Sequence, residues 1–337
     1  MPKNDTIFLL KIINIERIGA KKMAIEITII QKGSARKALP FEVITGDELK
    51  FGRMDGTLLL EDTLGDDGFI AYNPNHIARG FSVQWKEGET YKVVLRLTFP
   101  SHDEEIDDFY DAVTRIATYW KNCKIVLHGR KVLGLNDLVQ QRSDMKAESL
   151  QALSDLCNKT KFDKAGNLVT DAVDNEEVEL LEGEVVLQCV KWPLYVGGKE
   201  KAMVADETDS TKLKDFLHEK LSIDAYYARA FFYQHPDTKE CHAKYGIDEG
   251  NLSIFPLDPV APTWLVDKTT GKQVEVANWE VVLFSTTKDE MLGEIPYADF
   301  IAKLKNKQYY DHRNVLIQGV TLAEMEEMLE AGTAVVQ

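Results

Sequence analysis

At 337 residues the chain is about two domains long, allotting ~150 residues to each. Its 44% apolar and 28% charged residues exclude a disordered, collagen-like or coiled-coil chain. The net charge of −15 is unevenly spread, because residues 1–150 carry 21 basic and 22 acidic side chains while residues 151–337 carry 19 and 33. Nucleic-acid binding rests on neutralising phosphates with Lys and Arg, so the acidic half argues against DNA or RNA and suits a basic protein partner.

Residues 1–22 read as an N-terminal extension or a first strand, with the domain proper opening near Met23. Lys11 interrupts the apolar Ile7–Leu10, so a secretory leader is not expected. The sequence holds no run of eighteen apolar residues, so no membrane helix is expected and the cytoplasm is the default. Ala24–Gln31 alternates with period two, as a half-buried strand does. Short strands follow at 49–53, 57–61 and 69–72, then a hairpin of 81–86 and 91–99 around Glu87-Gly88-Glu89. Ser101 with Glu104 has the pattern of a capping box, predicting a helix over 102–120. Ile106, Phe109, Tyr110, Val113, Ile116, Ala117 and Trp120 form its apolar face, and the acidic run 103–108 reads as dipole compensation and solvated surface, Asp108 included.

A small hairpin, 124–128 with 131–133, precedes a helix over 144–157 capped by Ser143. The polar stretch 158–177 is the expected boundary between an N-terminal α+β domain, 23–157, and an acidic C-terminal one, 178–337. Within it, Asp163–Asn167 reads as a β-turn, because Ala165 stands where a calcium loop needs oxygen. Strands are expected at 178–181 and 185–192 around Glu182-Gly183, then a helix from Asp209 or Ser210 using Leu213, Phe216, Leu217 and Leu221. Strands at 225–233 and 251–255, a hairpin of 279–286 and 291–295, a helix from Pro296 to about 305 and a strand at 315–318 follow. Thr321 and Glu324 form a second capping box. Strand, turn, strand and helix recur near 81–120, 178–221 and 279–305, giving an α+β class of mixed or antiparallel sheets with helices packed on one face.

The catalytic signatures of phosphate loops, dinucleotide folds, nucleophile elbows and zinc proteases are missing, so no catalytic residue, metal or cofactor is assigned. Cys123, Cys157, Cys189 and Cys241 are more than thirty residues apart and read as free thiols. His235–His242 reads as a hairpin tip. The one concentration of ligand-type residues is Arg53, Asn73, Asn75, His76 and Arg79, set among loop-forming Gly and Pro. Guanidinium groups suit oxyanions, so this cluster would take a phosphate ester or carboxylate, as an enzyme or a binder. The leading expectation is a non-enzymatic protein-binding chain, immunity-like or regulatory, with an acidic docking surface.

Gly46–Arg53 (GDELKFGR) with Tyr72–Phe81 (YNPNHIARGF), and later Ser253–Pro256, Asn278-Trp279 and Gly293–Phe300, resemble the bacterial family domain of unknown function 4299. The resemblance spans most of 23–305, implies a bacterial cytoplasmic protein and brings no catalytic residues with it.

Overall fold

The alternation of Ala24–Gln31 makes the central strand of the first half. In the computed structural model, which describes residues 24–55, 58–159, 185–204, 210–259, 261–262, 265–267 and 270–333, this strand (β1) buries Ile25, Ile27 and Ile29 completely on one face. It lies between β6 (Lys92–Thr98) and β7 (Cys123–Leu127), antiparallel to both. With β2 (Lys50–Asp55), β3 (Leu58–Glu61), β4 (Phe69–Tyr72), β5 (Phe81–Gln84) and β8 (Lys131–Leu133) they form one antiparallel sheet, ordered β3-β2-β4-β5-β6-β1-β7-β8. A short helix, α1 (Phe41–Thr45), connects β1 to β2.

The second helix, α2 (Asp103–Trp120), lies across this sheet. The apolar face expected from its sequence is the buried one: Ile106, Phe109, Tyr110, Val113 and Ile116 are fully enclosed with the three β1 isoleucines. The next helix, α3 (Asp137–Lys159), begins seven residues before its expected start, with Asp137 accepting the Gly134 amide at 2.7 Å. The expected boundary at 158–177, the Asp163–Asn167 turn, the 178–181 strand and the 1–22 extension fall almost wholly outside the described residues.

The chain divides into two compact units, whose described parts are 24–224 and 225–333. The stretch 185–224, expected within the C-terminal domain 178–337, packs within the first unit. Its hairpin, β9 (Val185–Gln188) and β10 (Pro193–Val196), donates the Val190 amide to the Ala78 carbonyl. Val190 also joins a small apolar cluster with Leu59, Tyr72 and Ile77. Two helices follow, α4 (Gly198–Val204) and α5 (Ser210–Leu221), the latter burying Phe216, Leu217 and Leu221 as expected.

The second unit is built from two four-stranded sheets. One has the order β11-β14-β18-β17, from Tyr226–Tyr227, Leu252–Pro256, Asn314–Gln318 and Lys307–Tyr309. The other has the order β12-β13-β15-β16, from Phe231–Gln234, Cys241–Asp248, Val276–Ser285 and Glu290–Pro296. Both are mixed, since β11 with β14 and β13 with β15 pair in parallel. Tyr245, Ile247, Val281 and Leu283 pack with Phe255 and Ile317, and with Phe300 of α6 (Tyr297–Lys303) and Met325 and Met328 of α7 (Leu322–Thr333). The protein is therefore α+β, with mixed and antiparallel sheets.

Candidate functional site

The polar groups of the first unit gather at the start of α2. Ser101 is not its cap. The Ser101 hydroxyl turns back to the Thr98 carbonyl (2.7 Å), while its amide and carbonyl are both held by Ser149 Oγ of α3 (2.8 and 2.5 Å). The capping role passes one residue on, to His102, whose Nδ1 accepts the Glu105 amide at 3.2 Å.

The acidic run is correspondingly less solvated than its sequence implies. Glu105 is 4% exposed, and its Oε1 accepts the Gly80 amide at 2.5 Å while Oε2 has no hydrogen-bond partner among the described residues. Burial pushes its carboxyl up to about 7, against the opposing pull of Ser101 and Arg79. Asp108 is half-buried rather than solvent-facing: Oδ2 stands 2.6 Å from His76 Nε2, and Oδ1 accepts from Asn73 Nδ2 at 3.4 Å. Burial raises the Asp108 carboxyl above its ordinary value, and His76 and Asn73 oppose that rise. Asn73, His76, Gly80, Glu105 and Asp108 line a cavity of about 10 Å³, room for one water at most.

Three imidazoles stand in a row beside it. The His76 and His102 rings are 5.6 Å apart between centroids, and His102 and His218 are 5.8 Å apart. His218 lies in the last turn of α5, and Ser222 Oγ, just beyond that helix, is 3.2 Å from His218 Nδ1 and 3.3 Å from His102 Nε2. Glu104 Oε2 is 3.1 Å from His102 Nδ1 and 3.8 Å from His218 Nδ1. Burial pushes His102 down to about 4, with Glu104 opposing.

Ser222, His102 and Glu104 have the connectivity of a nucleophile, base and acid. Their surroundings do not suit acyl transfer. His102 is 1% exposed, its Nδ1 already receives an amide, and the Ser222 amide is committed to the His218 carbonyl instead of an oxyanion. What the cluster can do is hold a proton or a cation.

The five residues singled out from sequence are dispersed. Asn73 and His76 meet at Asp108. Asn75 has an exposed side chain and gives its amide to Asn73 Oδ1 at 3.0 Å. Arg79 donates through Nε to the Gln188 carbonyl (3.1 Å) and through Nη1 to the Pro100 carbonyl (3.2 Å). Arg53 is exposed on β2, opposite Leu60 and against Gly65. Sequence reading missed His102, His218 and Ser222, and took Glu104, Glu105 and Asp108 only for capping, dipole compensation and solvated surface. For Glu105 a signal was present, since 105, 109, 112 and 116 share the buried stripe of α2.

In the second unit the His235–His242 segment is a hairpin tip, with His235 Nδ1 accepting the amides of Asp237 and Thr238, both at 3.3 Å. Carboxylates collect elsewhere. Lys288, at the β15–β16 turn, pairs with Glu326 of α7 at 2.7 Å and also feels Glu290 and Glu249. Glu249 accepts Ser285 Oγ (2.7 Å) and the Thr287 amide (3.0 Å), which hold its carboxyl below the usual range. Among the described residues no helix is long and apolar enough to cross a membrane.

The family model described as a domain of unknown function (DUF4299) matches residues 24–328. No curated protein and no solved structure matches the chain.

Proposed function

We propose that this chain, which belongs to the DUF4299 family, is a non-enzymatic protein-binding protein, immunity-like or regulatory, whose acidic surface docks a basic partner. The observation that carries this reading is the crowding of Glu249, Glu290 and Glu326 around the single ammonium of Lys288. That arrangement leaves negative charge over for a partner's Lys or Arg, within a half of the sequence holding 33 acidic and 19 basic residues. Catalysis is less well supported, because the cavity beside His76 and Asp108 admits one water and not a substrate. The anionic-ligand alternative is weakened by Arg79, whose guanidinium is engaged by two backbone carbonyls.

The test is affinity capture from the native cell at low and high salt, with the intact chain beside a Glu249→Lys, Glu290→Lys, Glu326→Lys variant. A basic protein held at low salt, released at high salt and lost by the variant is the expected result, since exposed charge pairs are screened. Recovery of nothing above background at low salt, or equal capture by the charge-reversed chain, overturns the reading.

A further inference from the structure

We propose that His102, Glu104 and His218 form a binding site for one divalent transition-metal cation of the zinc class. One donor atom from each residue lies within 4.8 Å of the other two. Donors about 2.0–2.2 Å from a tetrahedral ion stand roughly 3.3–3.5 Å apart. The two Glu104–imidazole separations, 3.1 and 3.8 Å, straddle that value, the donor atoms of the two histidines lie within 4.8 Å of each other, and His218, 57% exposed, is the ring that can turn to close the gap. Two imidazoles with one carboxylate suit zinc-class ions, whereas calcium and magnesium take oxygen throughout.

The second observation is a conflict of lone pairs. His102 Nδ1 accepts the Glu105 amide over a long 3.2 Å bond, so its lone pair stands only 3.1 Å from a second acceptor, Glu104 Oε2. Two acceptors at that distance repel unless a proton or a cation lies between them. A cation shared by Nδ1 and Oε2 removes the repulsion and takes over the lone pair from the Glu105 amide, and Ser222, 3.3 Å from Nε2, then fixes the ring from behind, as outer partners of metal-bound histidines do. The C-terminal end of α5 favours positive charge, and the unfavourable N-terminal end of α2 is offset by Asp103 and Glu104.

The test is calorimetric titration of the chelator-stripped full chain with Zn²⁺ alone, with Co²⁺ absorption reporting the ligand geometry. One equivalent should bind, and Glu104→Gln and His218→Ala should each weaken it by about tenfold or more. His235→Ala, which breaks the other histidine pair, should leave binding unchanged. Both substituted ligands are at least half exposed, and equal metal-free unfolding midpoints would show that the variants fold. Zn²⁺ should then raise the midpoint of the intact chain and not of either variant. An intact chain that binds no Zn²⁺, binding that survives both substitutions, or binding lost with His235→Ala would each overturn the proposal.

Discussion

Two helices of this protein follow the same capping pattern, a hydroxyl residue with glutamate three positions on. α7 is entered through Thr321-Leu-Ala-Glu324 and α2 through Ser101-His-Asp-Glu104. At α7 the box closes as the pattern says: Thr321 Oγ1 accepts the Glu324 amide (3.3 Å) and Glu324 Oε2 accepts the Thr321 amide (2.9 Å). At α2 Ser149 claims the backbone of Ser101, and the cap slides to His102. The carboxylate three residues on, Glu105, then reaches sideways to Gly80 instead of back to its cap. Titration follows the same divide, since Thr321 holds Glu324 below the usual carboxylate range while burial lifts Glu105. A local pattern decides a helix start where its flank is solvent, and a neighbouring element decides it where the flank is protein.

The largest expected effect tests whether α2 is anchored by its buried face. Phe109→Ala should cost about 3–5 kcal/mol in chemical denaturation, as truncation of enclosed aromatics does; a loss below about 1 kcal/mol would contradict the packing described.

Glu105→Gln tests the charge contrast between the two helix starts. A carboxyl with its folded value near 7 and its unfolded value near 4.5 binds more protons folded than unfolded between those limits. The intact protein should therefore lose up to about 3 kcal/mol as pH rises from 4.5 to 7, and the variant should lack that component. Parallel stability–pH curves for the two proteins would mean that Glu105 is not held protonated.

Asp108→Ala should cost about 1–3 kcal/mol, the scale of stranding a half-buried partner such as His76. A thermal shift indistinguishable from zero would return Asp108 to the solvated face that its sequence implies. Smallest is Thr321→Ala, at about 1 kcal/mol for a lost cap, measured by denaturation of the full chain. An unchanged midpoint there would show that α7 is held by Met325 and Met328 alone.

Where a segment's own periodicity matches its surroundings, its structure could be read directly, as for the β1 isoleucines, the α2 stripe, the α7 box and the 235–240 turn. β13 escaped although Ala243, Tyr245 and Ile247 alternate with His242, Lys244 and Gly246, since its partner β15 lies in parallel some thirty residues on and leaves no local hairpin signal. The histidine row escaped for a different reason. His76, His102 and His218 come from a loop, a cap and a helix end, and polar contacts across such distances leave no period in the sequence. Asn73 and His76 were found because a short loop carries both, whereas the Arg79 carbonyl partners lie at Pro100 and on the distant 185–188 strand.

The position of β1 between β6 and β7 also bears on how the protein is made. Its two partners follow about 70 and 100 residues later in the chain. At a synthesis rate of about 5–20 residues per second, roughly 5–20 seconds pass before the last of them is translated. Through that interval Ile25, Ile27 and Ile29 form an apolar strand with neither neighbour yet made, the kind of transiently exposed surface that drives misassembly.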